Sequence, residues 1–387
     1  PMVLALNMVD AAERRGIRID RAKLEANLDY LKGRVDFIRV FCTVGGGLWD
    51  QRAAPIREVI DTDALRQLAN LAYDTYGIRI MPTVFASKSG TPDERRAFVQ
   101  YVGNVVRSMP EKFQLTEVVN EAENGAVAFD RNEVIEHAAA LQKLVPHNVA
   151  LTAPFSDWAA YYQNTPADIM TLHLERDVNG TGGVWRPVRQ AREGQAMSTP
   201  WVSNEPIGIA SSVAQDDDPL RLTMSAGCVW LCQGAAYILH TGAGIYGLAY
   251  QGSTGYRQAN LWEQGTMSAV LDGLSALRKL LPADLPNWKF VNNNRNFPDY
   301  PFDTDPLVQE DAVLRSFVAL NGNRFVCLPI RVAKDTTYIA KRRMTFTHYD
   351  PLTGNVIASP TLNPGERYIL PGSPDGQRAA VFIGILE

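Results

Sequence analysis

The chain has 387 residues, 46% of them hydrophobic and 21% charged, with a formal net charge of -4. That is ordinary globular composition, with length enough for a large α/β barrel and a smaller second domain. The mild negative charge and the lack of any like-charge run argue against a nucleic-acid partner. No stretch approaches the ~20 apolar residues of a membrane span.

Pro1 to Met8 is mildly apolar and reads as the tail of a first strand or the loop after it. Leu24, Leu28 and Leu31 then share one helical face over 20–32, with Asp20 as a candidate N-cap. Val35 to Val44 (VDFIRVFCTV) is a continuous β-branched and aromatic run, the pattern of a strand buried on both sides. A glycine run, Gly45 to Gly47, breaks it into a loop carrying Trp49. The alternation repeats: helix 62–76, strand 78–85, helix 92–109, strand 115–120, helix 132–144, strand 149–153, strand 167–174, a weak helix 184–195, strand 201–203, helix 219–233, strand 235–240 and a long helix 260–281. Seven strands after the start, alternating with helices, predict a (β/α)8 TIM barrel over 1–282. An open doubly wound sheet is the competing architecture. It is disfavoured because no GxGxxG follows the first strands and the polar residues sit at many strand ends.

After Pro282 helical periodicity stops. Short strand-like runs at 313–320, 324–332, 344–349, 367–370 and 379–386 are separated by turn residues such as Asn321-Gly322-Asn323 and Asn363-Pro364-Gly365. This predicts an antiparallel β-sandwich over 283–387. The four cysteines, Cys42, Cys228, Cys232 and Cys327, contain no CxxC pair and read as isolated buried thiols rather than a zinc site. No charged-then-apolar leader is visible in this chain, which leaves the compartment open.

In a barrel the C-terminal strand ends form the active face. Read in order, they offer Arg39 on strand two, Asn120 and Glu121 on strand four, Asp157 and Trp158 after strand five, His173 and Glu175 on strand six, Asn204 and Glu205 on strand seven, and His240 on strand eight. An Asn-Glu pair ending strand four and a second ending strand seven resemble the pattern of the clan A (4/7 superfamily) retaining glycoside hydrolases. Arg39 within Phe37-Ile38-Arg39-Val40-Phe41 and the strand-six histidine match as well. The resemblance spans most of 1–282, and the Tyr349–Gly354 turn resembles one in C-terminal domains attached to such barrels. The sequence departs from the clan where strand one is unclear and where His240, or a later residue such as Trp262, replaces a strand-eight tryptophan.

The resemblance implies a glycosidase that cleaves β-linked sugars, with Glu121 as general acid/base, Glu205 as nucleophile and an oligosaccharide or polysaccharide as substrate. It implies neither cofactor nor metal. Asn120 would bond the sugar 2-hydroxyl, and Arg39 would hold Glu205 ionised by charge proximity. Arg39 reads equally as a structural ion pair inside the barrel. Glu117 reads as buried in a salt bridge or exposed at the barrel base. The indoles of Trp49, Trp158 and Trp185 are candidate sugar platforms, because sugar C–H faces stack on aromatic rings. Tyr246 and Tyr250 are candidate rim residues. Trp230, at core spacing in a helix, reads as packing. Substrate-binding residues are then Arg39, Trp49, Asn120, Trp158, His173, Glu175, Asn204, His240 and Tyr246. Two other readings stand beside this one: a non-catalytic carbohydrate-binding barrel, and a metal-dependent hydrolase using His173, Glu175 and His240.

Overall fold

A computed structural model describes residues 2–3, 21–43, 56–86, 88–122, 129–153, 167–173, 185, 191–192, 194–195, 199–204, 208–209, 216–241, 244, 248–250, 256–258, 260–291, 299–304, 316–375 and 378–387. The chain divides into two compact units. One is Pro1–Leu174, Ser198–Gln215 and Ile238–Gly265, and the other is Glu175–Met197, Asp216–Tyr237 and Thr266–Glu387.

The first unit is built on a parallel sheet whose seven strands are hydrogen-bonded in chain order: β1 (Met2–Val3), β2 (Phe37–Phe41), β3 (Arg79–Phe85), β4 (Thr116–Val119), β5 (Val149–Ala153), β6 (Ile169–His173) and β7 (Trp201–Asn204). Parallel neighbours need crossovers, and helices supply them. They include α1 (Arg21–Leu31), α2 (Ile56–Asp61), α3 (Ala64–Asn70), α4 (Pro92–Ser108) and α5 (Arg131–Leu144). Strands covered on both faces carry unbroken apolar runs, and Ile38, Val40 and Phe41 of β2 and Ile80, Met81, Val84 and Phe85 of β3 are all buried. The register pairs Arg39 with Met2 and Met81, Thr83 with Glu117, and His173 with Asn204.

The strand expected at 235–240 takes a different form. Ile238 N donates to Ser203 O at 3.0 Å, and Ile209 and Thr241 form a parallel bridge. Residues 238–241 therefore run beside β7 at the eighth position of a (β/α)8 barrel, held by isolated bonds rather than a full ladder. The chain approaches closely there: a Cβ at Gly208 would lie 1.7 Å from the His240 carbonyl oxygen, so only glycine fits. The glycine-rich segment beyond contains a short antiparallel pair, β8 (Leu248–Tyr250) with β9 (Tyr256–Gln258). The helix expected over 260–281 is split. A single 3-10 turn, Leu261–Glu263, is followed by Gly265 at a φ of 44°. The helix proper, α7 (Met267–Leu280), belongs to the second unit.

That second unit contains α6 (Pro219–Leu231), α7 and two antiparallel sheets. One sheet runs β10 (Lys289–Val291), β12 (Ser316–Asn321), β13 (Arg324–Pro329), β19 (Val381–Leu386), β15 (Met344–Tyr349), β16 (Val356–Ala358), with β17 (Thr361–Leu362) also pairing β15. The other is β11 (Phe302–Thr304), β14 (Thr336–Ala340), β18 (Arg367–Leu370). Both sheets feed one core in which Phe302, Phe325, Phe346, Phe382 and Tyr338 are buried. Their rings meet mainly edge to face, as at Phe302–Phe346, 5.8 Å between centroids. Two sheets around one core make the sandwich. Gly227 of α6 packs so tightly that a Cβ would meet Leu328 of β13 at 3.0 Å.

Candidate active site

The site starts from a carboxylate inside the sheet. Glu117 lies mid-strand in β4 and is fully buried. Its Oε2 accepts from Arg39 Nε at 2.9 Å, Arg39 Nη2 at 2.6 Å and Thr83 Oγ1 at 2.5 Å. Its Oε1 accepts from Thr171 Oγ1 at 2.6 Å and Asn204 Nδ2 at 3.1 Å. These partners sit on β2, β3, β6 and β7. A single side chain on β4 reaches β2 and β7 together only across the lumen of a curled sheet. Glu117 therefore spans the barrel interior, and its five donors offset the desolvation of a buried charge.

The ion pair reaches the strand ends through two amides. Arg39 Nη2 donates to Asn120 Oδ1 at 2.7 Å, and Asn120 N donates to Phe85 O at 2.8 Å. Asn120 and Asn204 are both completely buried. Arg39 also lies 4.7 Å from the centre of the Phe41 ring. The ion-pair reading of Arg39 is realised here, with Glu117 as its partner. The same guanidinium also touches Asn120, which joins the packed interior to the site.

Glu121 follows directly, with a φ of 45°. Its Oε1 lies 2.8 Å from His173 Nδ1, and both side chains are nearly enclosed. β4 and β6 are separated by β5, so this contact also bridges non-neighbouring strands at their C-terminal ends. His240 is buried at the eighth position. Among the described residues no group of three His, Cys, Asp or Glu side chains is arranged to hold a metal ion, and no helix is long and apolar enough to cross a membrane.

The structure thus joins Arg39, Asn120 and Asn204 with Glu117, Thr83 and Thr171 in one bonded network, and sets the bonded Glu121–His173 pair directly after Asn120 at the strand ends. Trp49, Glu123, Asp157, Trp158, Glu175, Glu205 and Tyr246 lie outside the described residues, and with them the separation of the 121 and 205 carboxyls. Of Tyr250, only its strand is described. Trp185 departs from expectation. It is 2% exposed and among the largest fully enclosed side chains, so it has no free face for a sugar ring. Among the described residues Trp262 is an exposed indole, set edge-on against Tyr30 at 5.7 Å. Sequence reasoning singled out neither Thr83 nor Thr171. The one available signal was their place inside buried strands, where a threonine hydroxyl needs a partner.

No family model matches this chain, and no curated protein matches it in sequence. Solved structures match it in fold. A protein described as a glycoside hydrolase superposes with a TM-score of 0.67 at 11% identity, over 100% of this chain and 92% of its own. A family 5 glycoside hydrolase from Bacteroides vulgatus gives 0.67 at 10% identity, over 99% and 89%. A putative glycoside hydrolase from the same organism gives 0.59 at 9% identity, over 95% and 76%. At such identities the likeness is one of fold alone.

Proposed function

We propose that the protein is a retaining glycoside hydrolase acting on β-linked oligosaccharide or polysaccharide, with residues 1–282 as catalytic barrel and 283–387 as appended sandwich. The observation that carries this reading is the Glu121–His173 hydrogen bond beside an Asn120 fixed by a buried ion pair, all at strand C-terminal ends. The fold shared with glycoside hydrolases supports it.

In this mechanism Glu121 gives its proton to the glycosidic oxygen while the Glu205 carboxylate attacks the anomeric carbon. The C–O bond to the leaving group breaks as the bond to Glu205 forms. Water then attacks the glycosyl-enzyme, losing its proton to Glu121 and releasing Glu205. This sequence requires the two carboxyls about 5–5.5 Å apart. With a hydrogen on Nδ1, His173 donates to Glu121 Oε1 and leaves Oε2 to carry the transferable proton. Asn120 contacts the sugar 2-hydroxyl, and Asn204 supplies a second polar contact beside the nucleophile. Trp49, Trp158, Glu175, His240 and Tyr246 complete the substrate contacts in this reading.

The test is covalent trapping. A panel of 2-deoxy-2-fluoro β-glycosyl fluorides is incubated with the enzyme, and the protein is digested and mapped by mass spectrometry. Time-dependent inactivation with the label on Glu205 is the expected result. Turnover of a β-glycoside with no label, or with label elsewhere, overturns the assignment. Full activity lost to a chelator and restored by a divalent ion would favour the metal-dependent reading instead.

A further inference from the structure

We infer that Glu117 is a positioning residue: through its ion pair with Arg39 it fixes a hydrogen-bond donor at Asn120 and an acceptor at Asn204 for the substrate hydroxyls. The inference rests on the glycosidase reading and concerns how the same site selects its ligand.

The argument is one of polarity. A guanidinium only donates hydrogen bonds, so the Asn120 atom 2.7 Å from Arg39 Nη2 has to be Oδ1. A carboxylate paired with that guanidinium only accepts, so the Asn204 atom 3.1 Å from Glu117 Oε1 has to be Nδ2. The orientation of each amide is therefore dictated by its partner's chemistry. The opposite end of each amide faces away from the ion pair. These ends, Asn120 Nδ2 and Asn204 Oδ1, are buried and without a hydrogen-bond partner among the described residues. Leaving such an atom unpaired is unfavourable, because it has lost its water without gaining a partner. Two of them, of opposite polarity, at the ends of β4 and β7, fit a ligand that both accepts and donates. Sugar hydroxyls do both.

Glu117 reaches both amides, one directly and one through Arg39. Its Oε2 holds the guanidinium that holds Asn120, and its Oε1 holds Asn204. Replacing the carboxylate with a carboxamide separates the two roles. In Glu117→Gln the amide oxygen stays with Arg39 and Thr83, because an NH2 group cannot face a guanidinium. The Nε2 end then faces Thr171 and Asn204. Thr171 can accept through its hydroxyl, but Asn204 has to rotate its amide to offer Oδ1. The atom it presents on the far side becomes a donor. Asn120 keeps its orientation.

The experiment is a double-mutant cycle with a structural readout. On a β-glycoside that the wild type hydrolyses, E117Q and N204A are each expected to lower kcat/KM by about 10- to 100-fold, the scale of one to two hydrogen bonds to the transition state. The double variant is expected to be within about 3-fold of E117Q alone, since Asn204 no longer offers an acceptor to lose. An E117Q enzyme with a lower Tm but an unchanged kcat/KM would make Glu117 purely structural, and losses that multiply in the double variant would make Glu117 and Asn204 act independently; either result overturns the proposal. Neutron diffraction on deuterated crystals reads the amide directly: the Asn204 deuterons point at residue 117 in the wild type and away from it in E117Q. The wild-type map alone decides the first point if E117Q does not fold, and deuterons pointing away from Glu117 there sink the proposal. Since this map needs no turnover, failure of the glycosidase reading is distinguishable from failure of the positioning claim.

Discussion

Glu121 sits at a φ of 45°, where a side chain bearing a Cβ costs about 1–3 kcal/mol. The surroundings hold it there. The preceding residue is fixed by its backbone bond to Phe85 and its side-chain bond to Arg39, and Glu121 itself is tied to His173 across β5. The left-handed turn carries the carboxyl off the line of β4 and toward β6. A carboxyl so placed suits proton delivery, and its loss has a chemical signature. In Glu121→Gln the loss of kcat/KM is expected to depend on the leaving group. Glycosides of alkyl alcohols, which need protonation, lose about 10²–10⁴-fold; dinitrophenyl glycosides, whose leaving group departs unaided, lose far less in the glycosylation step. Comparing rates over a series of leaving-group pKa values checks this, and an equal loss across the series would assign Glu121 another role.

At the scale of elements, α4 shows how local sequence fixes a boundary. Thr91 Oγ1 accepts from Glu94 N at 3.3 Å and Glu94 Oε2 accepts from Thr91 N at 2.7 Å, with Pro92 in the first turn. Thr91→Ala is expected to destabilise the protein by about 1 kcal/mol, whereas Glu94→Gln, which preserves the reciprocal bond, is close to neutral; urea unfolding measures both. This helix was legible over 92–109 from its place in the alternation and its acidic first turn, and the inner strands from unbroken apolar runs; the capping box emerged only in the structure. The eighth stave was legible in place but not in form: expected as a strand over 235–240, it is held beside β7 by isolated bonds over 238–241. β14 (TTYIA), which alternates buried and half-buried positions, was not read as a strand although its composition suits one. The 260–281 helix looked continuous because its spacing survives Gly265, whose backbone breaks it. The candidate site divides the same way. Asn120, Glu121, His173 and Asn204 were visible from their places at strand ends. The hub was not: Glu117 and Arg39 stand 78 positions apart, and only the curl of the sheet makes them neighbours.

For the whole molecule, pH acts on both units through buried histidines. His147 in the first unit is pushed down to about 4 by burial, with Nε2 at 2.9 Å from Thr116 Oγ1. His348 in the second is also pushed down to about 4, first by burial and then by the Arg378 charge, against a smaller opposing effect of Asp350; its Nδ1 lies 2.7 Å from the Tyr368 hydroxyl. Burial lowers His137 as well. An unfolded histidine titrates near 6.5. Between about pH 6.5 and 4 the unfolded chain therefore binds more protons than the native one, and stability falls as the pH falls. Above that window the contribution is complete. The carboxylates held below their usual range, Glu94, Glu133 and Asp284, act in the same direction but only once the pH drops through the range of unfolded Asp and Glu, near 4. Acid destabilisation is therefore expected to begin while the carboxylates are still ionised. His147 and His348 each account for on the order of 1 kcal/mol between pH 7 and 5, after allowance for sites that water partly screens. His147→Gln and His348→Gln should each flatten the decline of urea-derived stability over that interval, and the double variant should flatten it further. An unchanged slope would mean that acid acts through other groups.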